Sequence, residues 1–141
     1  MRPIVVGTDG SRGAEAAVQK VIELARGSGA AAHLVCAYPG KSPLERIGMT
    51  ARQEPADLRG VAADVLARDE RRFVEAGFAV EKHAREGDPA QVMIDVADEQ
   101  DADLIVVGAR GSTGLRRFML GSVSSKLAHH APSSVLIVRQ D

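Results

Sequence analysis

Between Gly108 and Ser122 the chain spaces its glycines as Gly108-x2-Gly111-x9-Gly121-Ser122, with a further glycine at 114. Glycine lets backbone N–H groups approach an anion with no Cβ in the way. Gly121-Ser122 also opens a segment with helical spacing. The first N–H groups of a helix are unpaired and carry partial positive charge, and the Ser122 and Ser124 hydroxyls add donors. The charge pattern agrees: residues 110–126 hold Arg110, Arg116, Arg117 and Lys126 and no acid, whereas Asp95, Asp98, Glu99, Asp101 and Asp103 crowd the segment before them with no base. The chemistry this pattern suits is phosphate binding. Glycine spacing alone leaves a solvated basic loop as the alternative, because no Walker lysine follows a GxxxxG.

A phosphate cradle needs elements to hold it. Leu104–Val107, just before the glycines, reads as a buried strand, and Val123, Leu127, Ala128 and Ala131 read as a helix ending at Pro132. Upstream, Ile4–Thr8 reads as a strand running into the turn Thr8-Asp9-Gly10-Ser11. A helix follows, with Ser11 as its N-cap, Ala14, Ala17, Val18, Val21, Leu24 and Ala25 on one face, and Gly27 and Gly29 beyond its end. His33–Tyr38 is a second strand. Leu58, Val61, Ala62, Val65, Leu66 and Phe73 mark a second helix stopped at Gly77, and Phe78–Ala84 alternates like a strand. Asp88-Pro89 starts the next helix, since the carboxylate caps free N–H groups and proline has none to leave unpaired. That helix carries Ala90, Met93, Ile94 and Ala97 on one face, and Val135–Val138 gives a fifth strand.

The order β-α-β-α-β-α-β-α-β implies right-handed crossovers and an α/β fold, a Rossmann-like doubly wound parallel sheet with helices on both faces. Ligands on such sheets gather at the carboxyl ends of the strands, beside the point where strand order reverses. The turn after strand one and the glycine segment after strand four should meet there. Residues 39–57 form the one long irregular connection, of a size that is usually functional or mobile.

Bulk properties narrow the classes. At 141 residues the chain has the size of one domain, 1–141, able to bury a core of small and branched aliphatics; hydrophobic residues are 45% and aromatics 3%. A net charge of −1 argues against nucleic acid and membrane surfaces as partners. No apolar stretch approaches the roughly 18 residues of a membrane helix. The single cysteine, Cys36, can form no internal disulfide, and the N-terminus lacks a signal-peptide core, so the expectation is a cytoplasmic protein.

The spacing Gly108-x2-Gly111-x9-Gly121-Ser122, followed by a helix and by Ala131-Pro132 through Arg139, closely resembles the ATP-binding motif and tail of the universal stress protein family. The likeness extends to Ile4–Asp9 and to Gly87-Asp88-Pro89 through Gly108, nearly the whole chain apart from 39–57. The resemblance implies a five-stranded sheet of order 3-2-1-4-5 with an adenine nucleotide (ATP, ADP, AMP or cyclic AMP) across strands one and four. It implies that Asp9 contacts the ribose, or Mg²⁺ held by the phosphates, with Thr8 and Gly10 flanking it. It places Ala37 at the adenine edge, and Gly108, Arg110, Gly111, Gly121, Ser122, Val123 and Ser124 around ribose and phosphates. It further implies a homodimer through Val135–Val138, where pairing would cover an apolar edge.

The function implied is a nucleotide-binding regulatory protein of stress or growth arrest, acting through an unidentified protein partner. A second reading is slow ATP hydrolysis or autophosphorylation, with Asp9, Mg²⁺ and the arginines assisting. No positioned general base is evident, which favours binding over turnover. A nucleotide-independent interaction module is disfavoured by the intact motif, and a response regulator by the absence of an acidic cluster after strand three, where His83-Ala84-Arg85-Glu86 stands. Asp9 has a plainer use as a turn cap. His129 and His130 suit the charge at a helix C-terminus better than a metal, Cys36 reads as core, and the acids of 95–103 read as a solvated helix end.

Overall fold

The computed structural model describes residues 1–40, 47–48, 57–111 and 121–140. Five strands alternate with four helices among these: β1 (Ile4–Gly7), α1 (Arg12–Ala25), β2 (Ala32–Tyr38), α2 (Leu58–Glu75), β3 (Val80–Glu86), α3 (Pro89–Glu99), β4 (Leu104–Gly108), α4 (Ser122–His130) and β5 (Ser134–Val138). All strand pairs are parallel, as the alternation of strands and helices requires, and the order is β3-β2-β1-β4-β5, as the family resemblance implies. β1 is central, with Ile4 in register with Ala32 on one side and Leu104 on the other.

Side chains alternate across a strand, so each apolar run feeds two cores. Ile4, Val6, Leu34, Cys36 and Val106 pack under α1 and α2 with Val18, Leu66 and Phe73. Val5, Val35, Ile105 and Val107 pack on the opposite face with Met93 and Val96 of α3 and Leu127 of α4. Phe73 meets Phe78 edge-on at a centroid distance of 5.2 Å. Phe78 thus anchors the turn before β3 instead of starting the strand.

The helix starts form as their residues require. Ser11 Oγ accepts the Ala14 N–H at 3.2 Å, and Asp88 Oδ2 accepts the Gln91 N–H at 3.1 Å with Pro89 in the first turn. Two expected core positions fall outside the core: Leu24 is 68% and Val61 59% exposed. Both sit about a quarter-turn from the centre of their helix's buried arc, where 100° per residue carries a side chain past the sheet. Ala128 is exposed for the same reason. The acids of 95–103 are also more engaged than a solvated end. Glu99 receives both terminal nitrogens of Arg85 at 2.6 Å, tying α3 to β3, and Asp103 pairs with Arg2 at 3.6 Å.

Candidate functional site

Strand order reverses between β1 and β4, and a cleft opens at their carboxyl ends. Its cavity of about 290 Å³ lies at the small end of the range for ligand pockets, roughly 300–1,000 Å³. One end is apolar, formed by Val35 and Ala37 of β2 and by Pro89 and Met93 of α3. The other is backbone-rich, formed by Gly108–Gly111 and Gly121–Ser124. Thr8, Asp9, Ser11 and Ala14 close the side toward α1. Ten of the eleven residues singled out from the sequence therefore line one cavity: Thr8, Asp9, Ala37, Gly108, Arg110, Gly111, Gly121, Ser122, Val123 and Ser124. Gly10 is not among the lining residues. It turns toward α2, with φ +79°, its N–H on Thr8 Oγ1 at 3.3 Å and its carbonyl accepting from Arg68 at 3.2 Å.

The glycines are explained first by contacts within the protein. A Cβ on Gly108 would stand 2.5 Å from the Gly13 carbonyl oxygen, and one on Gly13 would strike the Arg110 carbonyl. The start of α1 therefore packs backbone to backbone against the end of β4. At Gly111 a Cβ would meet Asp9 Oδ2 at 2.8 Å. Gly7 leaves room for the Met93 thioether across the end of β1.

Gly121 gives its N–H to the Ala109 carbonyl at 2.6 Å, which folds the loop back onto β4. Among the described residues no side chain caps α4, and Gly121–Ser124 line the cleft, which puts the start of the helix, with its donor N–H groups, at the cavity wall. Two sequence-derived donors are engaged elsewhere. The buried Ser124 hydroxyl lies 2.8 Å from Ala109 O and 3.1 Å from Gly121 O; its single hydrogen braces the loop. Lys126 Nζ sits 3.0 Å from Asp88 Oδ1, a tie between α4 and α3 rather than part of a basic loop. Gly114, Arg116, Arg117 and Phe118–Leu120 lie outside the described residues.

Asp9 takes up its turn-capping role, with Oδ1 accepting the Ser11 N–H at 2.9 Å, while its side chain remains exposed at the rim of the cleft. Thr8 is buried, and its hydroxyl donates to Asp69 Oδ2 at 2.7 Å. Asp69 was not singled out from the sequence. It is fully buried on α2, and its Oδ1, with no hydrogen-bond partner, lies 3.8 Å from Arg68 Nε. The signal was present: position 69 falls three after Leu66 and four before Phe73, on the buried arc. Pro89, Met93 and Val35 also line the cleft, although by sequence pattern they are a helix start, a core-facing helix position and a strand residue.

Cys36 is buried, and its thiol is pushed up to about 11 by burial and then by the nearby Asp9 and Asp69 carboxylates. It stays protonated and is no nucleophile. His129 Nδ1 contacts Ser125 O at 2.8 Å in the last turn of α4, consistent with a helix-end role.

The architecture and cleft define a doubly wound α/β protein with a ligand crevice at its switch point. The family model "Universal stress protein family" matches residues 1–139, and the chain belongs to that family. A universal stress protein of Mycobacterium tuberculosis is 32% identical over 140 residues, 97% of this chain and 95% of that protein. The match to a Synechocystis universal stress protein spans only 42% of that protein's length. Among solved structures, a universal stress protein in complex with cAMP superposes with a TM-score of 0.72 at 29% identity, covering 99% of this chain and 98% of that one. The Archaeoglobus fulgidus universal stress protein in complex with dAMP gives 0.73 at 28% identity, covering 98% of each chain. No helix among the described residues is long and apolar enough to cross a membrane.

Proposed function

We propose that this protein binds an adenine nucleotide in the β1–β4 cleft and acts, as one unit over its whole length, as a dimeric regulatory protein of stress or growth arrest. The observation that carries the reading is the polarity of the cleft: an apolar end bounded by Val35, Ala37, Pro89 and Met93, and a donor end at the uncapped start of α4. A nucleotide has the same division. The flat base suits the first end and the phosphates suit the second, where Arg110 also lines the wall. Universal stress proteins 28–29% identical to this chain hold dAMP and cAMP, which supports an adenine base. Asp9, at the rim, is placed to meet a ribose hydroxyl, or Mg²⁺ when the ligand is ATP.

Asp9 is also the one carboxylate among the described lining residues, and its Oδ1 is engaged with Ser11. Binding without efficient turnover follows, with ATP hydrolysis at most slow. Dimerisation is assigned to β5, an edge strand whose Val135, Leu136 and Ile137 are only half-buried. A lone buried thiol suits a reducing compartment such as the cytoplasm.

Denaturing freshly purified protein and weighing the released small molecules tests the reading. AMP, ADP, ATP or cyclic AMP is expected from wild type or after incubation with each nucleotide, at a level greatly reduced in a Gly121→Asp variant. Equal release from both would overturn it.

A further inference from the structure

The parallel pairing of β2 and β3 brings together three side chains that the cleft does not use. His33 stands beside Glu81 in the register, and His83 lies two residues beyond Glu81 on the same face of β3. That face is the one α3 covers, since Val35 on it packs with Val92 and Val96. Both imidazoles are buried, 5% and 8% exposed, and His33 Nδ1 lies 3.0 Å from His83 Nε2. Glu81 Oε2 is 3.7 Å from the same His33 nitrogen, and its side chain is 61% exposed, so the group opens to solvent on one side. One potential ligand atom from each residue falls within 4.8 Å of the others.

Two imidazole nitrogens that face each other share one hydrogen. A divalent cation between them would use both lone pairs. At a Zn–N distance of about 2.0–2.1 Å, tetrahedral geometry puts two nitrogens about 3.3 Å apart, so the rings need part by only a few tenths of an ångström. The carboxylate is already at about the corresponding spacing. The surrounding charge favours a cation. Arg85, the base on this face of β3, is clamped by Glu99 through two 2.6 Å bonds with Asp95 close by, which leaves Glu81 as the acid beside the rings.

We propose that His33, His83 and Glu81 form a site for a divalent transition metal of the zinc class, with solvent completing the coordination. Two imidazoles and one carboxylate suit zinc and its neighbours in preference to magnesium or calcium. The ion would fasten the edge strand β3 to β2 one strand out from the cleft residue Val35.

The test uses the full chain, stripped with a chelator and titrated with Zn²⁺ in competition with a chromophoric indicator. The panel is wild type, His83→Gln, the double variant His33→Gln/His83→Gln, Glu81→Gln, and His129→Gln/His130→Gln as a control for the surface pair. One ion per chain is expected for wild type and for the control. His83→Gln should weaken binding by more than the roughly 10–100-fold that loss of an outer-shell partner costs. Zinc should raise Tm for wild type but not for the double variant, because a ligand of the native state stabilises it. Glu81 is exposed, so Glu81→Gln keeps the fold and should still weaken zinc binding if the histidine variants fail to fold. Zinc affinity of wild type no greater than that of the double variant, or than that of Glu81→Gln when the histidine variants are lost, would reduce the pair to a hydrogen bond and overturn the proposal.

Discussion

At the carboxyl ends of β1 and β4 the chain offers mainly backbone: Gly108, Gly111, the uncapped start of α4, and the close approach of Gly13 to Arg110. On β2 and β3, one strand outward, it offers side chains: two buried imidazoles and a carboxylate held in place by strand register. The two regions are therefore vulnerable to different changes. A surface built from backbone depends on the absence of Cβ atoms and on the bonds that brace its loops. A surface built from side chains depends on the identity of a few residues and tolerates changes around them.

Breaking the backbone packing should have the largest effect. Gly13→Val drives side-chain atoms into the Arg110 carbonyl, and urea unfolding should show a loss of about 3 kcal/mol or more, because no flexible side chain can yield there. Next comes the brace beneath Thr8. Thr8→Val leaves the fully buried Asp69 carboxylate without its donor and should cost about 1.5–3 kcal/mol, with Thr8→Ser restoring most of the loss. Removing the α1 cap by Ser11→Ala should cost about 1 kcal/mol in the same assay.

The smallest effect sharpens the contrast at the surface. The Lys126 ammonium and then the Gln91 N–H hold the Asp88 carboxyl below its ordinary value of 3.8. The unfolded chain therefore binds the proton more readily, so the stabilisation is present above about pH 3.8 and is lost as pH falls through the lower folded value. With Asp88 46% exposed, solvent keeps this well under about 1 kcal/mol. An Asp88→Asn variant should show a correspondingly shallower loss of stability on acidification; an unchanged slope would remove the role assigned to Lys126.

The same contrast explains what could be read from the sequence. The strand runs Ile4–Gly7 and Leu104–Gly108 declare a sheet covered on both faces, and Ser11 and Asp88-Pro89 declare helix starts, because each is a local chemical requirement. The motif spacing located the cleft. The reason for its glycines was less legible: Gly108 and Gly111 make room for Gly13 and Asp9, residues about 100 positions away, as well as for any ligand. Ser124 and Lys126 looked like anion donors because the sequence does not reveal that Ala109 and Asp88 already engage them. Asp69 could have been found from its place on the buried arc of α2. The His33–His83 contact could not, since it spans 50 residues and depends on the β2–β3 register.

Nucleotide binding at the start of α4 can be measured by calorimetric titration of wild type and Gly121→Asp, side by side, with AMP, ATP and cyclic AMP. Aspartate is a good N-cap; its Cβ would stand 3.2 Å from the Ala109 carbonyl oxygen, so the turn must yield slightly, and its carboxylate should occupy the helix N–H groups and repel phosphate. Wild type should bind at least one of these nucleotides saturably, and the variant should bind it tenfold or more weaker, that is by about 1.4 kcal/mol or more. Absence of binding to wild type, or identical isotherms for the two proteins, would contradict nucleotide binding at the start of α4.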